Sequence, residues 1–254
     1  MLTRRSLISL STSVAFSLAT RSASAFGDQE EVGIALLDLG EGAKMRPHAV
    51  EQLMWELRKR TSINVKERPI WIQPNNDELF TAPLVVLLGY GSLPSLSSEQ
   101  QSALNRYLRL GGLLFIDDIS PQGDERFDQS VRPWLKSLWP EQSLARMNED
   151  HTIYRSFYLL DRPYGRLQRS SYLEHINFDD LSPILYTRND LFGALGRSPT
   201  GEWSLPVIPG GSVQREWAFR FGINLMMYAT CLNYKRDQVH TLTILRRRKF
   251  QARP

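Results

Sequence analysis

LNRYLRLGGLLFIDDI, residues 104–119, reads as the end of one helix followed by the whole of one buried strand. Leu104, Tyr107 and Leu108 are helically spaced, Gly111-Gly112 stops the helix, and the apolar run that follows ends in Asp117 and Asp118. Glycine just past the last periodic residue is the expected C-cap, and a short Leu/Phe/Ile run after it fits a strand covered on both faces. The two carboxylates therefore fall at a strand's carboxyl end. Ligands bind at that edge in open parallel α/β sheets, so the search for a site begins there.

Working back from this stretch, Ser97 to Gln100 has the capping-box form and starts the same helix. Leu84 to Leu88 (LVVLL) and Val32 to Leu39 (VGIALLDL) are near-continuous apolar runs that read as central parallel strands, the first ending at Gly89-Tyr90-Gly91. Between them Gly40-Glu41-Gly42 turns the chain and Pro47 opens a helix carrying Val50, Leu53, Met54 and Leu57, closed by Arg58-Lys59-Arg60. The segment Ile63 to Gln73, interrupted by Pro69, is expected at a sheet edge.

Working forward, Phe127, Val131, Trp134, Leu135 and Leu138 are helically spaced, and Pro133 suits that helix if it begins near Ser130. Asn148 to Leu160 reads as a loop leading into aromatic-rich extended chain. Pro183 to Tyr186 reads as one more strand, ending near Asn189 and Asp190. Gly193 to Gly211 is loop, and Gln214 to Tyr234 is a helix apolar on most faces, hence buried. Alternating strands and helices predict a single α/β domain with a doubly wound, mostly parallel sheet.

The 254 residues suit one domain with a large core, and 42% hydrophobic with 23% charged residues excludes a disordered or fibrous chain. The formal net charge of +4 sits at the two ends: residues 26–245 hold 23 basic and 27 acidic residues. A mildly acidic body excludes a nucleic-acid-binding domain. Residues 1–25 carry Arg4-Arg5, an apolar Ser-rich stretch and Ala23-Ser24-Ala25, the form of a cleaved export signal whose arginine pair suits the twin-arginine route. The expected domains are that signal, an α/β domain over 26–245 and a basic tail over 246–254, with the mature protein periplasmic and no later transmembrane segment. The lone Cys231 forms no intramolecular disulfide and, inside an apolar helix, should stay protonated and inert.

Asp117 and Asp118 suggest a ligand or metal site, because hard cations want carboxylate oxygens and adjacent carboxylates raise each other's pKa. A strand points successive side chains to opposite faces, so only one of the two can aim into a given crevice; the plainer reading is that one caps a helix N-terminus or pairs with an arginine while the other is solvated. His151, in Glu149-Asp150-His151, is a candidate metal ligand or general base beside the plainer reading of a hydrogen-bonded loop histidine. Asp190 joins the candidate site if its strand runs parallel, and Gly89, Tyr90 and Gly91 line the neighbouring strand end. No motif requires a cofactor; a divalent cation held by Asp117, Asp118 and His151 is the one allowed for. There is no Gly-x-Ser-x-Gly elbow, no phosphate loop and no paired-histidine zinc spacing.

VVLLGYGSLPSLS, YLRLGGLLFIDD, EDHTIYRSFYLL and REWAFRFGINLMMYATCLNYKRDQVH, in this order, resemble the bacterial domain-of-unknown-function family 4159. The resemblance spans roughly Val32 to His240 and implies a flavodoxin-like, class I glutamine-amidotransferase-like fold. Amidotransferases of that fold place a cysteine just after the strand equivalent to Leu113–Ile116; this chain has Asp117-Asp118, so the resemblance implies that the nucleophile is absent. It also implies an accessory role, since relatives are often encoded beside or fused to envelope proteins with von Willebrand A-like domains and their ATPase partners. Where relatives tend to carry a Gly-Arg pair before the later strand, this chain has Asp179-Asp180-Leu181-Ser182.

The first functional expectation is thus an exported, non-catalytic binding or assembly module with an envelope protein partner. The alternative is a hydrolase in which the carboxylates and His151 hold a divalent cation that activates water. Convergence of Asp118, His151 and Asp190 separates the two. A third reading is that the chain is itself a purely structural envelope protein that docks through its basic tail.

Overall fold

The computed structural model describes residues 31–178 and 181–251, with 232–251 described as helix backbone only. The expected signal, Asp179-Asp180 and residues 252–254 lie outside the described residues. Seven strands form one sheet: β1 (Ile34–Leu37), β2 (Ile70–Ile72), β3 (Leu84–Gly89), β4 (Leu113–Asp118), β5 (Ala145–Arg146), β6 (Glu174–Phe178) and β7 (Leu181–Thr187). Their order is β2-β1-β3-β4-β7-β6-β5, parallel from β2 to β7 and antiparallel over β6 and β5. The helices are α1 (Pro47–Arg60), α2 (Ser98–Arg109), α3 (Arg126–Leu138), α4 (Leu191–Leu195) and α5 (Gly211–Gln251).

The pleat explains why the strand runs are apolar throughout. Ile34, Leu36, Val86 and Phe115 pack on α1, α4 and α5, while Ala35, Leu37, Val85, Leu114 and Ile116 pack on α2 and α3. The sheet is therefore covered on both faces, as parallel sheets require. The LNRYLRLGGLLFIDDI stretch folds as read. Ser97 and Gln100 exchange the two capping-box hydrogen bonds at the start of α2, Gly111 adopts φ +104°, and a Cβ on Gly112 would lie 2.1 Å from the Tyr107 ring.

Elsewhere the structure corrects the reading. α3 begins at Arg126, ahead of Ser130, because the Asp124 carboxylate accepts the Arg126 N–H at 3.1 Å; Pro133 lies inside the helix. The stretch after Asn148 holds a 3-10 turn at Thr152–Arg155. β7 runs longer than Pro183–Tyr186 and lies between two strands, its proline sitting where the β6–β7 register slips, a place that asks for no N–H. Cys231 is exposed, since α5 continues beyond the segment buried against the sheet and its backbone runs on through residues 246–251 of the expected tail. Among the described residues no helix is long and apolar enough to cross a membrane.

Candidate functional site at the carboxyl edge

β4 and β7 are parallel, so Asp117, Asp118 and Asp190 share one end of the sheet. The pleat sends Asp117 and Asp118 to opposite faces, and all three carboxylates are fully buried. Asp117 turns toward α4, where its Oδ1 accepts the Leu191 N–H at 2.9 Å and its Oδ2 the Phe192 N–H at 2.8 Å. Asp190, in a left-handed conformation with φ +55°, accepts the next N–H, that of Gly193, at 2.9 Å. Two side chains thus fill the first turn of this short helix, the place where a parallel sheet would otherwise offer donors to a bound anion. Arg46 and Arg166 both donate to Asp190, and Arg46 also reaches Ile119 O at 3.4 Å. Burial and the nearby Asp190 carboxylate push the Asp117 carboxyl up to about 8, against the pull of the two N–H donors and Arg46.

Asp118 turns the other way. It accepts the Ser120 N–H at 3.0 Å and pairs with Arg169 at 3.2 Å, while Arg169 also donates to Ser120 O. Burial raises its pKa, opposed by Ser120 and Arg169. Arg169 Nε and Ser120 Oγ are buried close by with no hydrogen-bond partner among the described residues. The arginines Arg46, Arg166 and Arg169, with side chains 12–15% exposed, are the members of these pairs that reach solvent.

A strap, residues 163–170, lies across this edge. Arg166 and Leu167 donate their N–H groups to Asp190 O and Asn189 O, each at 2.9 Å. The Asn189 side chain donates to Pro163 O and Ser170 O at 2.8 Å and accepts the Ser170 N–H at 2.9 Å. Gly165 is pressed so closely on Asn189 that a Cβ would lie 2.1 Å from its carbonyl oxygen. Beside the strap, Gly89 and Gly91 end β3: a Cβ on Gly89 would lie 1.9 Å from the Phe127 ring, Gly91 adopts φ +65°, and Arg126 lies 5.9 Å from the Tyr90 ring. The 3-10 turn Glu41–Lys44 closes the crevice between β1 and β3, its Gly42 backed onto Leu88 O.

His151 is elsewhere. It caps the turn Thr152–Arg155 through Nδ1, and its Nε2 lies 3.2 Å from Ser182 Oγ, which lies 2.7 Å from His175 Nδ1. Ser182 is at the amino end of β7, five residues from Thr187, the residue paired with Asp117, or about 16 Å along the strand. The structure brings Asp117 and Asp190 together, sets Asp118 on the other face, and leaves His151 at the opposite end. Among the described residues no three His, Cys, Asp or Glu side chains converge to hold a metal ion. Arg46, Arg166, Arg169 and Asn189, which bind these carboxylates and the strap, carry no motif in the sequence; Arg46 directly before the helix-opening Pro47, and Gly165-Arg166, are the only local cues.

Fold and site together define a single α/β domain with a mostly parallel, seven-stranded sheet and an arginine-locked carboxyl edge. The chain belongs to the family described as Domain of unknown function (DUF4159), which it matches over residues 33–230. Comparison with curated proteins finds no match.

Proposed function

We propose that this chain is an exported, non-catalytic binding or assembly module of the bacterial cell envelope. The observation that carries the reading is that the three buried carboxylates at the sheet's carboxyl edge, Asp117, Asp118 and Asp190, are already engaged. Asp117 and Asp190 hold the start of α4, and Asp118 is tied to Arg169 and Ser120. None of the three is free to act as base, nucleophile or metal ligand, and the members of these pairs that reach solvent are guanidinia. The order β2-β1-β3-β4-β7 supports a flavodoxin-like, glutamine-amidotransferase-like fold, whose parallel strands run 2-1-3-4-5. Asp117-Asp118 stands where an amidotransferase of that fold carries its cysteine. The basic, apolar and small-residue pattern of residues 1–25 supports twin-arginine export to the periplasm. The contact surface for the envelope partner is the rim of Tyr90, Arg46, Arg166 and Arg169.

The test pairs two measurements on the exported protein. The melting temperature is taken with chelator and with Mg²⁺, Ca²⁺, Mn²⁺ or Zn²⁺, for wild type and Asp118→Asn, and a photo-cross-linking residue replaces Tyr90 in growing cells. We expect no cation to stabilise the protein and a discrete cross-linked adduct in the envelope fraction. A bound ion adds about 2.7 kcal/mol at 100 times its dissociation constant. A shift of that size in wild type, lost in Asp118→Asn, would put the metal-assisted hydrolase ahead; absence of any adduct would remove the partner surface.

A further inference from the structure

A cleft of about 690 Å³ lies along the outward side of α1, away from the carboxyl edge. Its floor is one stripe of that helix, at whose centre Trp55 is 46% exposed. An indole left half bare in a soluble domain is a costly placement for a side chain that normally buries its large apolar surface. Lys59 sits 4.8 Å from the ring centroid but does not line the cleft, so it covers one face of the indole and leaves the cleft side open.

Both walls are fixed. Arg58 donates to Val65 O at 3.3 Å and Lys66 O at 2.8 Å, which pins the Glu67-Arg68 wall to the helix. On the far side Arg197 donates to Gly201 O at 2.6 Å and stacks 3.7 Å over Trp203, holding the Ser198-Pro199 wall. Gln52, Glu67 and Arg68 line the cleft with no hydrogen-bond or ion-pair partner among the described residues. The cleft therefore combines a flat aromatic platform, an amide, a carboxylate and a guanidinium, each planar and able to engage two hydroxyl groups at once. Three arginines and two glutamates line the cleft, and two of the arginines, Arg58 and Arg197, are spent on backbone carbonyls, so the lining is not the single-sign basic array that a polyanion needs. Apart from Trp55 and Pro199 the lining offers no apolar pocket of the kind that seats peptide side chains.

We propose that this cleft is a saccharide-binding site, in which one pyranose ring of a glycan chain stacks its C–H face on Trp55 while Gln52, Glu67 and Arg68 take its hydroxyl groups. A single stacked ring with a few hydrogen bonds corresponds to a dissociation constant of about 1 mM. The full chain is titrated by calorimetry with the N-acetylglucosamine tetramer, the glucose tetramer and, as a competing class, a neutral tetrapeptide.

Saturable binding of at least one tetrasaccharide is expected, weakened about tenfold or more in Trp55→Ala and about threefold in Gln52→Ala. Trp71→Ala, which removes an exposed tryptophan outside the cleft, should leave binding unchanged. Melting curves of all variants establish that they fold; both helix positions face solvent, and Glu67→Ala in the loop serves as an independent variant. Three results overturn the site: no saturable binding of either tetrasaccharide at about ten times that constant, binding indifferent to Trp55→Ala, or binding of the peptide in place of the glycans.

Discussion

Asp117 is buried as part of a helix start, and this gives it a defined effect on stability. Its folded pKa of about 8 lies above the ordinary carboxyl value of about 3.9. The folded state therefore holds a proton that the unfolded state has released between those limits, so this contribution is full below about pH 4 and is lost as pH rises toward 8. His175 acts in the opposite sense. His151 Nδ1 accepts a backbone N–H, so its proton is on Nε2 and is given to Ser182, whose hydroxyl is given in turn to His175 Nδ1. Burial lowers the His175 pKa, and its contribution, present above the ordinary value of about 6.5, is lost as pH falls through the folded value. Urea unfolding at pH 5, 6.5 and 8 should show Asp117→Asn flattening the alkaline fall and His175→Gln flattening the acid fall. A wild-type profile unchanged by either substitution would remove both residues from the linkage.

At the level of elements, packing at β3 makes the sharpest demand. The Gly89 Cα lies directly under the Phe127 ring of α3, so Gly89→Ala forces α3 away from the sheet. Overpacking of this kind costs about 1–3 kcal/mol, which denaturant unfolding should register as a lower midpoint with an unchanged slope. Ser97→Ala, which deletes only a cap, should cost about 1 kcal/mol. What was legible in the sequence follows the same division. β1, β3, β4, α1 and α2 announce themselves because local signals and tertiary burial agree: apolar runs of strand length, a capping box, a glycine stop. β5 and β6 do not, because a two-residue edge strand and a half-exposed EHINF segment acquire their pairing from β7 and not from their own pattern. The candidate carboxylates were legible as a pair at a strand end. Their occupants were not, because Arg46, Arg166 and Arg169 reach Asp190 and Asp118 across 144, 24 and 51 residues of chain. His151 was misleading for the same reason: its partners, Ser182 and His175, lie 31 and 24 positions along the sequence.

Over the whole molecule, the strap, the turn at residues 208–210 and the start of α5 meet at one buried side chain. Gln214 donates to Gly165 O at 2.8 Å, Arg166 O at 3.3 Å and Ile208 O at 3.1 Å, and it accepts the Gly210 N–H at 2.9 Å and the Gln168 amide at 3.0 Å. Removing it leaves several buried polar groups unsatisfied at about 1–3 kcal/mol each. Gln214→Ala should therefore open the strap to trypsin at Arg166 or Arg169 under conditions in which the wild type resists. Equal cleavage of both proteins would show that the contacts to Asn189, Asp190 and Asp118 hold the strap without Gln214. In most α/β proteins the loops at the carboxyl edge are free to lengthen and diverge while the sheet stays fixed. Here Gly165 must meet Asn189, Arg166 must meet Asp190, and Gly165, Arg166 and Gln168 must meet Gln214, so adding or deleting one residue between Pro163 and Ser170 would misalign all three anchors. The strap can change its side chains but not its length, and variation in length among relatives should gather in the turns around Gly123 and Gly201, where an added side chain meets no neighbour.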